Sequence, residues 1–149
     1  MMIVVRYLLL VAAIVLILAG CKSPIQNDIV LSNREEALVK VNAYSLRQLN
    51  QIQGLGLTIL HTAVIANDIQ IVKALINRKV NLNIKTSSIN NSGLTALHIA
   101  VQYENPEMVK LLLSAGADHE IKFKDLSALD FAKISQNNEI IELLINKNN

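Results

Sequence analysis

Two short blocks of sequence each occur three times, in the same order and the same register. Thr58-Ile59-Leu60-His61-Thr62-Ala63 returns as Thr95-Ala96-Leu97-His98-Ile99-Ala100 and, more loosely, as Ser127-Ala128-Leu129-Asp130-Phe131-Ala132. Downstream of each, Ile71-Val72-Lys73-Ala74-Leu75-Ile76 returns as Met108-Val109-Lys110-Leu111-Leu112-Leu113 and as Ile140-Ile141-Glu142-Leu143-Leu144-Ile145. Both blocks are displaced by 37 and then 32 residues. A period of this length marks a supersecondary unit that cannot bury its apolar face alone and must stack on its neighbours.

The residue types make each unit a pair of helices. Thr58, Thr95 and Ser127 are suited to cap a first helix, accepting from backbone N–H groups two or three residues on. Leu60, Ala63, Leu97, Ala100, Leu129 and Ala132 then share one helical face. The small alanines on that face let helices approach closely. Pro106 stands where a second helix would start, a position whose N–H has no helical partner anyway. Gly116 follows that helix and suits a left-handed terminating residue. The matching position in the first unit is Lys79, where a side chain costs of order 1 kcal/mol.

These blocks resemble the ankyrin repeat, whose period is about 33 residues and whose signature is T-P-L-H-x-A. The resemblance covers residues 54–146 and is strongest from Gly93 to Asp118. It implies an all-α ankyrin solenoid with short hairpin-like fingers, with repeats at about 54–85, 93–122 and 125–149. Departures from the signature bear on stability more than on fold. Ile59, Ala96 and Ala128 replace the proline, Asp130 replaces the third histidine, and Asn67, Glu104 and Gln136 replace the glycine between paired helices. Ahead of the repeats, Ser32-Asn33-Arg34-Glu35 and Ser45-Leu46-Arg47-Gln48 fit the capping-box pattern. They predict two short helices within 32–53, a degenerate N-terminal cap. The Asn-rich end Asn146–Asn149 suits an exposed terminal cap.

The first twenty residues are of another kind. They hold one charge, Arg6, followed by the apolar run Tyr7–Gly20. Fourteen residues suit the core of a secretory signal better than a membrane span, which needs about 20. An uncleaved anchor starting from Ile3 is the alternative. Leu18-Ala19-Gly20-Cys21 resembles the lipobox of bacterial lipoproteins, and Cys21 is the chain's single cysteine. That resemblance implies cleavage before Cys21, a diacylglycerol on its thiol, and acyl chains that hold the protein on a membrane. The plainer alternative is a lone buried cysteine after an ordinary signal. Lys22, in place of a retention-type Asp, implies the outer membrane on its periplasmic side if the host is Gram-negative. Residues 1–20 are then a signal peptide, and 21–31, with Pro24, Gln26 and Asn27, a lipid-anchored tether.

Composition narrows the function. After residue 20 the chain carries 13 Lys and Arg against 12 Asp and Glu. That balance argues against nucleic acid, which requires clustered cations. Aromatics are 3% and tryptophan is absent, so base stacking is disfavoured too. One cysteine allows no internal disulfide. No catalytic residue, cofactor, metal site or small-molecule substrate is expected. His61 and His98 occupy equivalent places in stacked helices about 8–10 Å apart, too far for a shared zinc with bonds of about 2 Å. In the ankyrin family this histidine makes structural hydrogen bonds. His119 lies in a turn with no evident partner, and Asp130 suits the start of a helix, where the macrodipole favours an acid.

The family resemblance implies a protein partner, held by the finger tips and the concave side of the first helices. Matching positions are Leu55, Leu57, Ile65, Ala66, Asn91, Ser92, Leu94, Gln102, Tyr103, Phe123, Lys124, Leu126, Ile134 and Ser135. Tyr103 and Phe123 are the aromatic candidates for anchors, though Phe123 could instead pack beneath its finger. Ten residues separate Lys85 from Thr95, but five separate Lys122 from Ser127, so one finger carries five extra residues within 86–92. Such a loop either tunes specificity or is a neutral insertion. Repeat lipoproteins include immunity proteins against antibacterial toxins, among them secreted phospholipases, so neutralising a toxin is one expectation. A scaffold or stress-tolerance role in the cell envelope is the other.

Overall fold

The computed structural model describes residues 33–87 and 93–146. The signal segment, the tether with Cys21, Ser32, the loop residues Asn91 and Ser92, and the end beyond Asn146 lie outside them. Eight helices occur among the described residues: α1 Arg34–Ala43, α2 Leu46–Leu49, α3 Ile59–Ile65, α4 Ile69–Asn77, α5 Ala96–Gln102, α6 Pro106–Ser114, α7 Ala128–Ile134 and α8 Asn138–Asn146. No strand forms among them; two isolated bridges, Gln53 to Leu57 and Phe123 to Leu126, close finger turns.

The helices form two layers. The inner layer runs α3, α5, α7; each packs on the next and on the outer helix that follows it, α4, α6 or α8. In the outer layer α1 packs on α4 and α8 on α6. Between α4 and α6 lies an open hollow of about 300 Å³, lined by Ile76, Lys79, Val80, Leu82 and Gly116. Leu60, Ala63, Leu97, Ala100 and Ala132 are buried as the helical face requires, while Leu129 is only partly buried.

Each inner helix starts from one device. The Thr58 amide donates to His61 Nδ1 at 3.0 Å, and the His61 amide donates to Thr58 Oγ1 at 3.4 Å. Thr95 and His98 repeat this reciprocal box, as do Ser45 and Gln48 in α2. Ser127 repeats it with Asp130, whose Oδ2 accepts from the Ser127 amide at 2.9 Å and hydroxyl at 2.6 Å. The substitution of Asp for His therefore preserves the cap, because the position needs only a side-chain acceptor. Asp130 does more than sit near a helix dipole: it closes the box. At α1 the cap differs from the Ser32–Glu35 expectation. Asn33 is the N-cap, and its side-chain amide donates to Glu36 Oε2 at 2.6 Å.

Terminations follow the repeat register. Gly116 has φ +92, and the Ala117 amide donates back to the Leu112 carbonyl at 3.0 Å. Lys79 takes the same left-handed turn at φ +56, with Val80 bonding back to Leu75. Asn67, Glu104 and Gln136, the residues in place of the inter-helix glycine, are likewise left-handed at φ 54, 51 and 57. The turn of the last finger is a two-residue hairpin. Phe123 and Leu126 exchange both backbone hydrogen bonds, and Lys124 and Asp125 have φ +48 and +66.

Side chains tie the N-terminal cap to the first repeat. Arg78, at the end of α4, donates to the carbonyls of Val41, Asn42 and Tyr44 at 2.6–2.7 Å. These are carbonyls at the C-terminal end of α1, which have no helical partner. Arg34 pairs with Asp68 at 3.0 Å across the same junction. None of these helices is long and apolar enough to cross a membrane.

Candidate functional site

The inner helices are short, and their last residues emerge from the core together. Within α3, Ile59 through Val64 are buried, Ile65 is half-buried and Ala66 is exposed. In α5, burial runs to Val101, then Gln102 is exposed and Tyr103 is 41% exposed. In α7, Ile134 is 69% exposed and Ser135 is exposed beside it. Because α3 packs on α5 and α5 on α7, these pairs form a row along one side of the stack. The left-handed residues just beyond, Asn67, Glu104 and Gln136, turn the chain back to the outer layer and leave the row uncovered. Partial burial raises the Tyr103 hydroxyl above its ordinary pKa, so it stays protonated and able to donate.

The finger side is built differently from expectation. Leu94 is 4% exposed and part of the core, so it is not a surface contact. Its amide donates to Thr86 Oγ1 at 3.1 Å and its carbonyl accepts from the Thr86 amide at 2.8 Å. That clamp closes the base of the long finger and turns the leucine inward. Ser87 extends the contact by donating to the Gly56 carbonyl of the preceding finger.

Phe123 is also drawn inward. Its ring is partly buried, lies 6.1 Å from Phe131, and packs over Gly93, where a Cβ would sit 3.3 Å from its Cδ2. Phe131 in turn meets His98 edge-on at 5.5 Å. The phenylalanine thus joins the second and third units, and it is not a free anchor. Lys124 is exposed, with its ammonium 5.1 Å over the Phe123 ring. The structure therefore groups Ile65, Ala66, Gln102, Tyr103 and Ile134, and separates Leu94 and Phe123 from them. Asn91, Ser92 and Cys21 lie outside the described residues.

The buried histidines and Asp130 serve the helix starts. His61 is buried, and burial pushes its pKa down to about 4, partly offset by the facing carbonyls of Ile84 and Leu94. His98 is lowered for the same reason, with the Leu126 and Ile121 carbonyls opposing and Lys85 assisting. The Nε2 atoms of both are buried without a partner in hydrogen-bond geometry. His119, which the sequence leaves without a partner, has Nε2 3.2 Å from Glu120 Oε1. The Ser127 hydrogen bonds hold the Asp130 carboxyl below the usual carboxylate range. Among the described residues no group of three His, Cys, Asp or Glu is placed to hold a metal. The hollow between α4 and α6 has Lys79 as its one titratable lining residue, so it offers no acid–base pair.

No curated protein gives a significant match to the chain. A family model described as ankyrin repeats, in three copies, matches residues 27–125, about two thirds of the chain. Repeats of this kind act through protein–protein contacts. With helix pairs stacked in two layers, each inner helix opened by a Thr or Ser box, this chain belongs to the ankyrin-repeat family.

Proposed function

We propose that this protein is a lipid-anchored binder of one protein partner, gripping it with the row formed by the ends of α3, α5 and α7. The observation that carries the reading is the exposure of Tyr103 and Ile134 in that row. A tyrosine with a protonated hydroxyl on a rigid scaffold is a typical interface hot spot, and Ile134 adds apolar area in the same row. The row itself is uncharged, with Lys133 and Glu104 of opposite sign beside it, which favours a partner with a complementary apolar ridge over a polyanion.

The anchoring part rests on the sequence Leu18-Ala19-Gly20-Cys21 after an apolar run. A lipidated cysteine followed by a tether of about ten residues keeps the stack within a few tens of ångströms of the membrane. At that station in a bacterial envelope, a small module without a catalytic constellation is most useful as an inhibitor. We assign it the role of an immunity protein that neutralises a toxin reaching the same compartment. The test is survival: cells lacking this protein die when challenged with the cognate secreted toxin, and the full chain restores them. Equal survival of deleted and complemented cells against every toxin encoded by the host overturns the immunity role.

A further inference from the structure

Each repeat keeps one internal spacing. The residue capping its inner helix precedes the one capping its outer helix by ten positions: Thr58 to Asp68, Thr95 to Asn105 and Ser127 to Asn137. The helix α1 is also an outer helix, since it packs on α4, and its cap is Asn33. Among the described residues no inner helix precedes it. Ten positions before Asn33 stands Ser23, followed by Pro24, which suits a first helical position. Ile25 then matches Leu60, Leu97 and Leu129, and Gln26 matches His61, His98 and Asp130. Ser23 and Gln26 have the types and spacing of Ser45 and Gln48, which close a capping box in α2.

The stack is covered on the side where such a helix belongs. In α7, Phe131 turns toward the preceding unit, where its ring meets His98. Thr62 is the matching residue of α3, and it is 7% exposed. Among the described residues the helices packed most extensively on α3 are α4, its own partner, and α5, of the following unit. Neither belongs to a preceding unit. Charge points the same way. Ile71 and Leu75, Met108 and Leu112, Ile140 and Leu144 are fully buried, the last two with no following unit to cover them. The matching positions in α1 are Glu36 and Lys40, 2.9 Å apart. Asp28 in turn stands where Ala63, Ala100 and Ala132 are buried. Both members of one helix pair have therefore exchanged apolar residues for charges.

From this register we propose that residues 23–31 dock beside α3 and beneath α1 as the inner member of a fourth helix pair, with the Asp28 carboxylate against the Lys40 ammonium. Nine residues make a marginal helix alone, so its order comes from this seat. An acid entering the seam is costly unless a cation meets it, and Lys40 is that cation. Docking needs neither a partner nor a lipid, so it stands or falls separately from the proposed function. If the row of inner-helix ends grips a partner, Val30 and Leu31 lengthen it by one step, since they match Ile65 and Ala66. If Cys21 is lipidated, Lys22 alone separates the anchor from the stack.

The test uses the full chain in dodecyl maltoside micelles and has two readouts. The first is amide hydrogen exchange followed by mass spectrometry. Amides from Asn27 to Leu31 should exchange about a hundredfold more slowly than in the unfolded chain. The second is zero-length coupling with a water-soluble carbodiimide, which joins a carboxylate to an amine only where they touch. A linked peptide joining Asp28 to Lys40 is expected, and Asp28→Asn should abolish it while α5 and α6 keep their protection. Less than tenfold slowing between Asn27 and Leu31 overturns the proposal, since a solvated tether exchanges at the unfolded rate. Protection without the Asp28–Lys40 link overturns it too, because the segment then docks in another register.

Discussion

The Thr58 amide points at Nδ1 of His61, 3.0 Å away, and the Thr58 hydroxyl oxygen lies 2.9 Å from the same nitrogen. Nδ1 is therefore an acceptor and the imidazole is neutral in the folded protein. A proton on Nδ1 would face the Thr58 amide donor and break the cap. The pKa of about 4, below the ordinary 6.5, expresses that cost together with burial. Between those two values the unfolded chain binds the proton and the folded chain does not. Stability is thus complete above about pH 6.5 and falls as the pH drops toward 4. At pH 5 His61 alone accounts for a loss of about 2 kcal/mol, and His98 adds to it in the same direction. Thermal melts followed by circular dichroism at pH 7 and pH 5 check this. An unchanged midpoint would show that the histidines are not held neutral.

Lys79 adopts the left-handed turn that Gly116 adopts in the next unit, and Glu104 does the same between its helices. A side chain there costs about 1 kcal/mol relative to glycine. Lys79→Gly and Glu104→Gly should each leave stability unchanged or raise it by up to that amount, read as the urea midpoint at constant slope. Clear destabilisation by Lys79→Gly would mean the register of the first unit is wrong.

Gly93 sits at φ +111 beneath the Phe123 ring. Gly93→Ala meets a backbone conformation that L residues rarely adopt and a ring 3.3 Å from the new Cβ. A loss of about 2 kcal/mol is expected. Adding Phe123→Leu should recover only the steric part, as a double-mutant cycle in denaturant would measure.

Arg78 satisfies three carbonyls at the end of α1 through one guanidinium. Arg78→Met should cost about 2 kcal/mol. Arg78→Lys should recover little, because an ammonium cannot reproduce the planar fork. Native-state hydrogen exchange should show amides of α1 losing protection before those of α5. Uniform loss across the stack would mean that α1 is not a separately tethered element.

Much of this architecture is readable from short-range signals. Thr58, Thr95 and Ser127 announce their helices because a cap acts over three residues, and Pro106 marks the start of α6 by the same local logic. The left-handed turn at Lys79 is visible only through register with Gly116, and those at Asn67, Glu104 and Gln136 only through the family's glycine between paired helices, since nothing in those side chains demands φ > 0. The site was less legible. Leu94 looks like a fingertip residue until Thr86, eight residues earlier, clamps it inward. Phe123 reads either as an anchor or as a ring packed beneath its finger until Gly93, thirty residues away, decides for packing by opening a seat for it. Arg78 gave no signal, because its partners are backbone carbonyls more than thirty residues upstream. Tyr103 and Ile134, chosen by matching positions in the family, are exposed at the ends of α5 and α7.

The central claim is that the row at the ends of α3, α5 and α7 holds a protein partner. Its most direct test is in-cell crosslinking with mass spectrometry on the full chain, comparing the native sequence with Tyr103→Ala plus Ile134→Asp, and with deletion of 88–92, which spares Thr86 and Ser87. Tyr103 and Ile134 lie outside the core cluster, so the first variant keeps the fold. The account predicts one dominant partner, captured by the native chain and lost from the Tyr103 and Ile134 variant. Undiminished capture of that partner by both altered chains would contradict it.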